Sequence, residues 1–262
     1  MSVGGKMNED QPILELKNIT KSFQDLNVLK DLNLKINQGE ICCLLGPSGS
    51  GKTTLFRIAS GLAEADAGCI IKNNNPRFAY VFQSPRLLPW KSAEENLIFV
   101  QKNYGLESEN KLRDLLFRLS GLEKFKTAYP HELSGGMQQR LELIRAFAVK
   151  PDLIFLDEPF KSLDMKTIMN LRKLITLIQA ETEITLFLIT HDPEEALLLA
   201  DRIYIMAAEN SGIIKEIKVK QPREKRKISD PELYQQLENI MEIFSDLVSD
   251  LEDAGEAIKR IF

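Results

Sequence analysis

The chain has 262 residues, 44% hydrophobic and 27% charged, with a net charge of −4, a composition that suits one large globular domain or a domain with an insertion. The acidic balance argues against a general nucleic-acid surface, and no apolar run approaches the roughly 18 residues needed to cross a bilayer. The opening "MSVGGKMNEDQ" lacks the apolar core of a signal peptide, so the chain is expected in the cytosol, with Cys42, Cys43 and Cys69 reduced and buried.

In chain order, "ILELKNITKSF" and "LKDLNLKI" alternate apolar and polar residues and predict an antiparallel lobe. "EICCLLG" (40–46), "DLIFLDEP" (152–159) and "ITLFLITHD" (184–192) are continuous apolar runs, each followed by a helix-like segment. That pattern predicts a parallel sheet covered on both faces, hence an α/β fold. Between them, residues 84–148 lack strong strands and carry amphipathic patterns such as "ENKLRDLLFRLSGLEKF", which reads as an inserted helical subdomain. The expected organisation is a flexible lead over 1–12, one domain over 13–227 and a helical tail over 228–262. The stretch 215–227 is rich in Lys and Arg. After it, Ser229 or Asp230 caps a helix with Pro231 in its first turn. Leu233, Leu237, Ile240, Phe244, Leu247 and Leu251 then follow at helical spacing, docked either on this domain or on a partner.

The strongest chemical signal is "GPSGSGKTT", Gly46, Pro47, Ser48, Gly49, Ser50, Gly51, Lys52, Thr53 and Thr54. It matches the phosphate-loop pattern and lies where that mechanism needs it, between an apolar strand and a helix. The glycines let the backbone curl so that N–H groups converge on phosphate oxygens, and the helix N-terminus adds partial positive charge. Lys52 is placed to reach the β- and γ-phosphates and the Thr53 hydroxyl to ligate Mg²⁺. Asp157 ends a buried strand, where a carboxylate is costly unless a cation such as Mg²⁺ offsets it. Glu158 then points elsewhere, toward the γ-phosphate, to polarise an attacking water. His191 closes the next apolar run, at the carboxyl edge where open α/β sheets bind ligands, suited to hydrogen-bond the γ-phosphate. His131 is expected to cap or pack in its linker.

"HELSGGMQQR" (131–140) holds a second anion nest at a helix start, Ser134, Gly135 and Gly136, with no lysine or metal carboxylate beside it. It is either an ordinary N-cap or half of a site. In the second case two copies placed head to tail would complete two sites, each pairing one chain's phosphate loop with the other's nest across bound ATP.

"LSGGMQQR", lying between the phosphate loop and "LIFLDEP", resembles the signature of the ATP-binding cassette (ABC) ATPases, over residues 13–215. The resemblance implies a P-loop NTPase core with an antiparallel β lobe and an α-helical subdomain, ATP and Mg²⁺ as cofactors, and a dimer with a second, similar subunit. It assigns Gln83 in "YVFQ" to Mg²⁺ and the attacking water, "SLD" (162–164) to the dimer crossing and His191 to the switch histidine. Phe23 in "KSF" becomes the aromatic that stacks on adenine, the alternative being a core position.

"PRLLPW" after Gln83 resembles the ATP-binding subunits of nitrate/sulfonate/taurine-type importers. In that family the adjoining segment receives a helix of the membrane permease, so Trp90 lies in or near that groove or else packs in the core. Lys161 stands where these importers usually carry glycine; no catalytic consequence follows from that, and the change points to an altered dimer or permease contact. The implied function is an ATPase on the cytoplasmic face of the plasma membrane, driving an integral membrane permease and served indirectly by an extracytoplasmic solute-binding protein. The alternatives are a soluble ABC ATPase without a permease, in translation or cofactor assembly, and a regulatory module acting through its basic run and acidic helix on a partner or anionic lipid.

Overall fold

The computed structural model describes residues 12–24, 26–161, 163–207 and 212–244. The expected flexible lead, Ser162, Leu247 and Leu251 lie outside the described residues, Pro12 excepted. The early strands are β1 (Pro12–Phe23), β2 (Leu26–Asn37), β3 (Ile41–Leu45), β4 (Ala67–Lys72) and β5 (Phe78–Val81). The later ones are β6 (Leu153–Asp157), β7 (Thr185–Thr190), β8 (Arg202–Met206) and β9 (Ile213–Lys218). The helices are α1 (Lys52–Ser60), α2 (Ala93–Lys102), α3 (Asn110–Ser120), α4 (Gly135–Phe147), α5 (Met165–Thr182) and α6 (Pro193–Leu199), with α7 over 231–244.

These elements fall into two compact units. The first contains 12–14, Ile36–Glu40 and Lys72–Leu188, and the second contains Glu15–Lys35, Ile41–Ile71 and the residues from Ile189 onward.

In the first unit β5 lies beside β6 and β6 beside β7. The β5–β6 pair is parallel, with Phe78 opposite Leu153 and Val81 opposite Leu156. Every residue of β6 and β7 is buried, as continuous apolar strands covered on both faces require. The helices α2 to α4 fill the predicted helical stretch. Ser92 and Glu95 start α2 as a capping box, the Ser92 hydroxyl accepting from Glu95 N–H and the Glu95 carboxylate from Ser92 N–H. Asp164 caps α5, accepting from the Thr167 N–H at 3.0 Å and its hydroxyl at 2.6 Å.

In the second unit β1, β2 and β4 form a three-stranded sheet ordered β2-β1-β4. On β2, Leu32, Leu34 and Ile36 turn inward and Asp31, Asn33 and Lys35 outward, the period-2 pattern of a half-buried strand. The strands β3, β8 and β9 lie side by side in that order, β3 parallel to β8 and β8 antiparallel to β9. The fold is therefore α/β with a mostly parallel sheet and added antiparallel strands, as the apolar runs predict.

One sequence expectation changes here. Cys42 and Cys43 are buried on β3, whereas Cys69 is exposed, because β4 is an edge strand of its sheet. The stretch 215–227 is not a uniformly solvated basic face. Its start belongs to β9, and Arg226 is buried, donating to the carbonyls of Leu197, Ala200, Val219 and Gln221 and pairing with Asp201. Burial pulls its pKa down to about 10, against the opposite pull of Asp201. In α7 Leu233 and Ile240 are buried and Leu237 and Phe244 half-buried, so the described part of the predicted stripe packs on this chain. Asp230 holds the cap position, its carbonyl accepting from Tyr234 N–H.

Candidate nucleotide site

In the second unit the phosphate loop runs from the end of β3 into α1. Gly49 and Gly51 take φ of +84° and +90°, left-handed conformations that glycine adopts without steric cost. A Cβ on Gly46 would lie 2.7 Å from the Met206 carbonyl oxygen, so only glycine fits between this strand end and β8. The buried Lys52 ammonium donates to the carbonyls of Gly46 at 2.8 Å and Pro47 at 2.6 Å. The lysine is thus folded back over its own loop. The Ser50 hydroxyl is buried and has no hydrogen-bond partner among the described residues. An orphaned buried hydroxyl beside a lysine and an uncapped helix start fits a polyanion arriving with its own oxygens. Thr53 is exposed and Thr54 half-buried on the first turn of α1. Burial pushes the Cys43 thiol pKa up, Glu195 adds to the shift, and the positive charge of Lys52 opposes it.

His191 follows β7 and is exposed, and the Asp192 carboxylate after it caps α6 by accepting from the N–H groups of Glu194 and Glu195. Phe23 ends β1 at 54% exposure, with the Lys21 ammonium 5.5 Å from its ring centroid. It is not a core aromatic.

In the first unit Asp157 ends β6 at 7% exposure, and its Oδ2 accepts from the Tyr80 phenol at 3.0 Å. Glu158 follows with φ of +44°, a sparsely populated region for a non-glycine residue. Its Oε2 lies 2.8 Å from the Lys161 ammonium. Gln83 is exposed just beyond β5. Ser134 caps α4, its hydroxyl accepting from Met137 N–H at 3.3 Å. Gly135 has open space around it, and a Cβ on Gly136 would meet the Thr167 side chain at 3.0 Å. His131 is exposed and stacks on Tyr129, ring centroids 5.9 Å apart. Trp90 is 70% exposed, which removes the core alternative.

Sequence reasoning missed Tyr80 and Asn96 around these sites, and for Lys161 it missed the contact with Glu158. Tyr80 supports Asp157, and Lys161 supports Glu158. Asn96, fully buried on α2, fixes the loop that carries Trp90. Its Oδ1 accepts from Leu88 N–H at 2.8 Å, and its Nδ2 donates to the carbonyls of Leu88, Lys91 and Ser92. The only sequence signal for it was a polar residue on the apolar side of α2.

The ABC transporter family profile matches residues 29–161. An aliphatic sulfonates import ATP-binding protein, SsuB 2 of Pseudomonas syringae pv. tomato, is 41% identical over 208 residues, 79% of this chain and 88% of its own. A sulfate/thiosulfate import ATP-binding protein, CysA of Nitrosomonas europaea, is 39% identical over 78% of this chain. A spermidine/putrescine import ATP-binding protein, PotA of Salmonella typhimurium, is 40% identical over 78% of this chain. The chain spans 60% and 56% of the length of these last two. Among solved structures, a dimeric ATP-binding cassette in a post-hydrolysis state bound to ADP and Pi superposes with a TM-score of 0.69 at 28% identity, covering 80% of this chain and all of that one. CbiO1 of Clostridium perfringens, part of an ABC transporter complex, gives 0.73 at 26%, covering 87% and 100%. Among the described residues no helix is long and apolar enough to cross a membrane. The chain belongs to the ABC transporter family, as an importer-type ATP-binding subunit whose ATP hydrolysis, with Mg²⁺, is coupled to transport.

Proposed function

We propose that the chain works as an ATP-sandwiched homodimer on the cytoplasmic face of the plasma membrane, energising a separate permease that imports a small solute of the nitrate/sulfonate/taurine class. The SsuB-type relative and the "PRLLPW" segment support the sulfonate-like class. The observation that carries the permease reading is Trp90, 70% exposed on a loop that Asn96 pins through three carbonyls and one N–H. An exposed large aromatic on a backbone this constrained suits docking, since little entropy is lost when a partner covers it. In the same unit a depression is lined by Leu88 of that loop together with Phe78, Phe99, Tyr104, Glu142 and Arg145. A solute-binding protein outside the cell would supply the permease.

In this reading Lys52 and the backbone of Gly46–Thr54 hold the phosphates, and Phe23 stacks on the adenine. Mg²⁺, when bound, offsets the charge on the terminal phosphates, and Thr53, Asp157 and Gln83 are the residues that would hold it. Glu158 orients the attacking water and accepts its proton, and His191 hydrogen-bonds the terminal phosphate. Ser134, Gly135 and Gly136 serve the partner's nucleotide. The Ser134 hydroxyl accepts from its own helix, yet it retains an O–H to donate.

The test is a pull-down of the tagged chain from detergent-solubilised membranes, with ATPase assays on the eluate. A co-eluting polytopic permease that stimulates hydrolysis supports the reading. An active dimer with no membrane partner would replace it with a soluble ABC ATPase.

A further inference from the structure

We infer that Lys161 is a positioning residue that restrains Glu158 and so sets the basal rate of ATP hydrolysis. The inference rests on the reading of Glu158 as the water-activating carboxylate. Its basis is a single turn within the first unit. Lys161 N–H donates to the Glu158 carbonyl at 3.2 Å, closing residues 158–161. The two central residues, Pro159 and Phe160, are buried and anchor the turn. Its two ends therefore have little freedom, and their side chains meet at 2.8 Å between Lys161 Nζ and Glu158 Oε2. Glu158 is held at φ of +44° directly before a proline, a conformation such a residue avoids unless its surroundings impose it. The ion pair and the turn hydrogen bond are two of the contacts that do so.

The direction of the effect follows from charge. In hydrolysis a water oxygen bonds to the terminal phosphorus, the bridging P–O bond breaks with its electron pair leaving on ADP, and the water's proton passes toward Glu158. As the carboxylate accepts that proton its negative charge falls, and its attraction to Lys161 falls with it. An interaction stronger before the step than during it slows the step. Lys161 is half-exposed, 43% for its side chain, so solvent screens the pair and its effect is modest.

The experiment compares steady-state ATP hydrolysis by the full chain and by Lys161→Met, Lys161→Arg, Glu158→Gln and the Glu158→Gln/Lys161→Met double variant, with thermal midpoints to confirm folding. Lys161→Met is expected to raise kcat by about two- to fivefold with KM for ATP unchanged. Lys161→Arg keeps the cation and stays close to the slow parent rate. The double variant is no faster than Glu158→Gln, because the effect runs through the carboxylate. A Lys161→Met rate at or below the parent's, or an equal acceleration in the Glu158→Gln background, overturns the role of Lys161 and leaves the ATPase reading standing. Near-parental hydrolysis by Glu158→Gln overturns both.

Discussion

The Tyr80 phenol donates to Asp157 Oδ2 at 3.0 Å across the parallel pair β5–β6, so the buried carboxylate of this motif is oriented by a residue on the neighbouring strand. Tyr80→Phe removes the hydroxyl and keeps the ring, which stacks on Phe155 at 6.1 Å. The expected loss is about 1–2 kcal/mol of stability in urea unfolding. With Asp157 in its proposed role as a Mg²⁺ ligand, a rise of up to about tenfold in the Mg²⁺ concentration for half-maximal ATPase should accompany it, because a partner behind a metal ligand tunes that ligand. Parental values for both would mean that Asp157 is held by other contacts alone.

Gly46→Ala places a methyl 2.7 Å from the Met206 carbonyl. Backbone cannot yield as a flexible side chain does, so the expected cost is about 1–3 kcal/mol, with weaker nucleotide binding because Lys52 is tied to the Gly46 carbonyl. Gly49→Ala meets nothing within 4 Å, but its φ of +84° should cost about 1–2 kcal/mol. Thermal unfolding and titration with a non-hydrolysable ATP analogue read both effects.

Asn96→Ala removes the side chain that holds Leu88, Lys91 and Ser92. A stability loss of about 2–3 kcal/mol is expected, and recovery of the permease in pull-downs should fall more than the turnover of the isolated chain. Equal recovery from parent and variant would separate this loop from docking.

Glu142 is buried on α4, its Oε2 2.6 Å from Arg145 Nη2. Burial raises its pKa above the ordinary 4.5, with Arg145 opposing. The folded state therefore holds this proton more tightly than the unfolded one, and the Glu142 contribution to stability falls as pH rises from about 4.5 through the raised value. Glu142→Gln lacks that loss. Urea unfolding from pH 4.5 to 8 should show the stability of the variant relative to the parent increasing with pH and then levelling. A flat or falling difference would contradict the sign.

The buried runs that became β3, β6 and β7 were legible because a strand covered on both faces is apolar throughout. The phosphate loop was legible because its spacing is itself the mechanism. What escaped depends on residues distant in sequence. Cys69 was expected to be buried with the other two cysteines, yet it is exposed, since composition does not distinguish an edge strand from a central one. Arg226 reads as part of a basic surface, yet carbonyls as far back as Leu197 and Ala200 converge on it. The support of Asp157 by Tyr80 spans 77 residues. Lys161 is the local exception. Its three-residue spacing from Glu158 was visible, but only the closed turn brings the two charges together.

The most direct test of the ATP-sandwich mechanism is the solution mass of Glu158→Gln by light scattering with saturating ATP and Mg²⁺. The account predicts a stable dimer that is lost when Ser134→Arg is added, because the Ser134 nest must face the partner's nucleotide. A Glu158→Gln chain that remains monomeric at saturating ATP would contradict it.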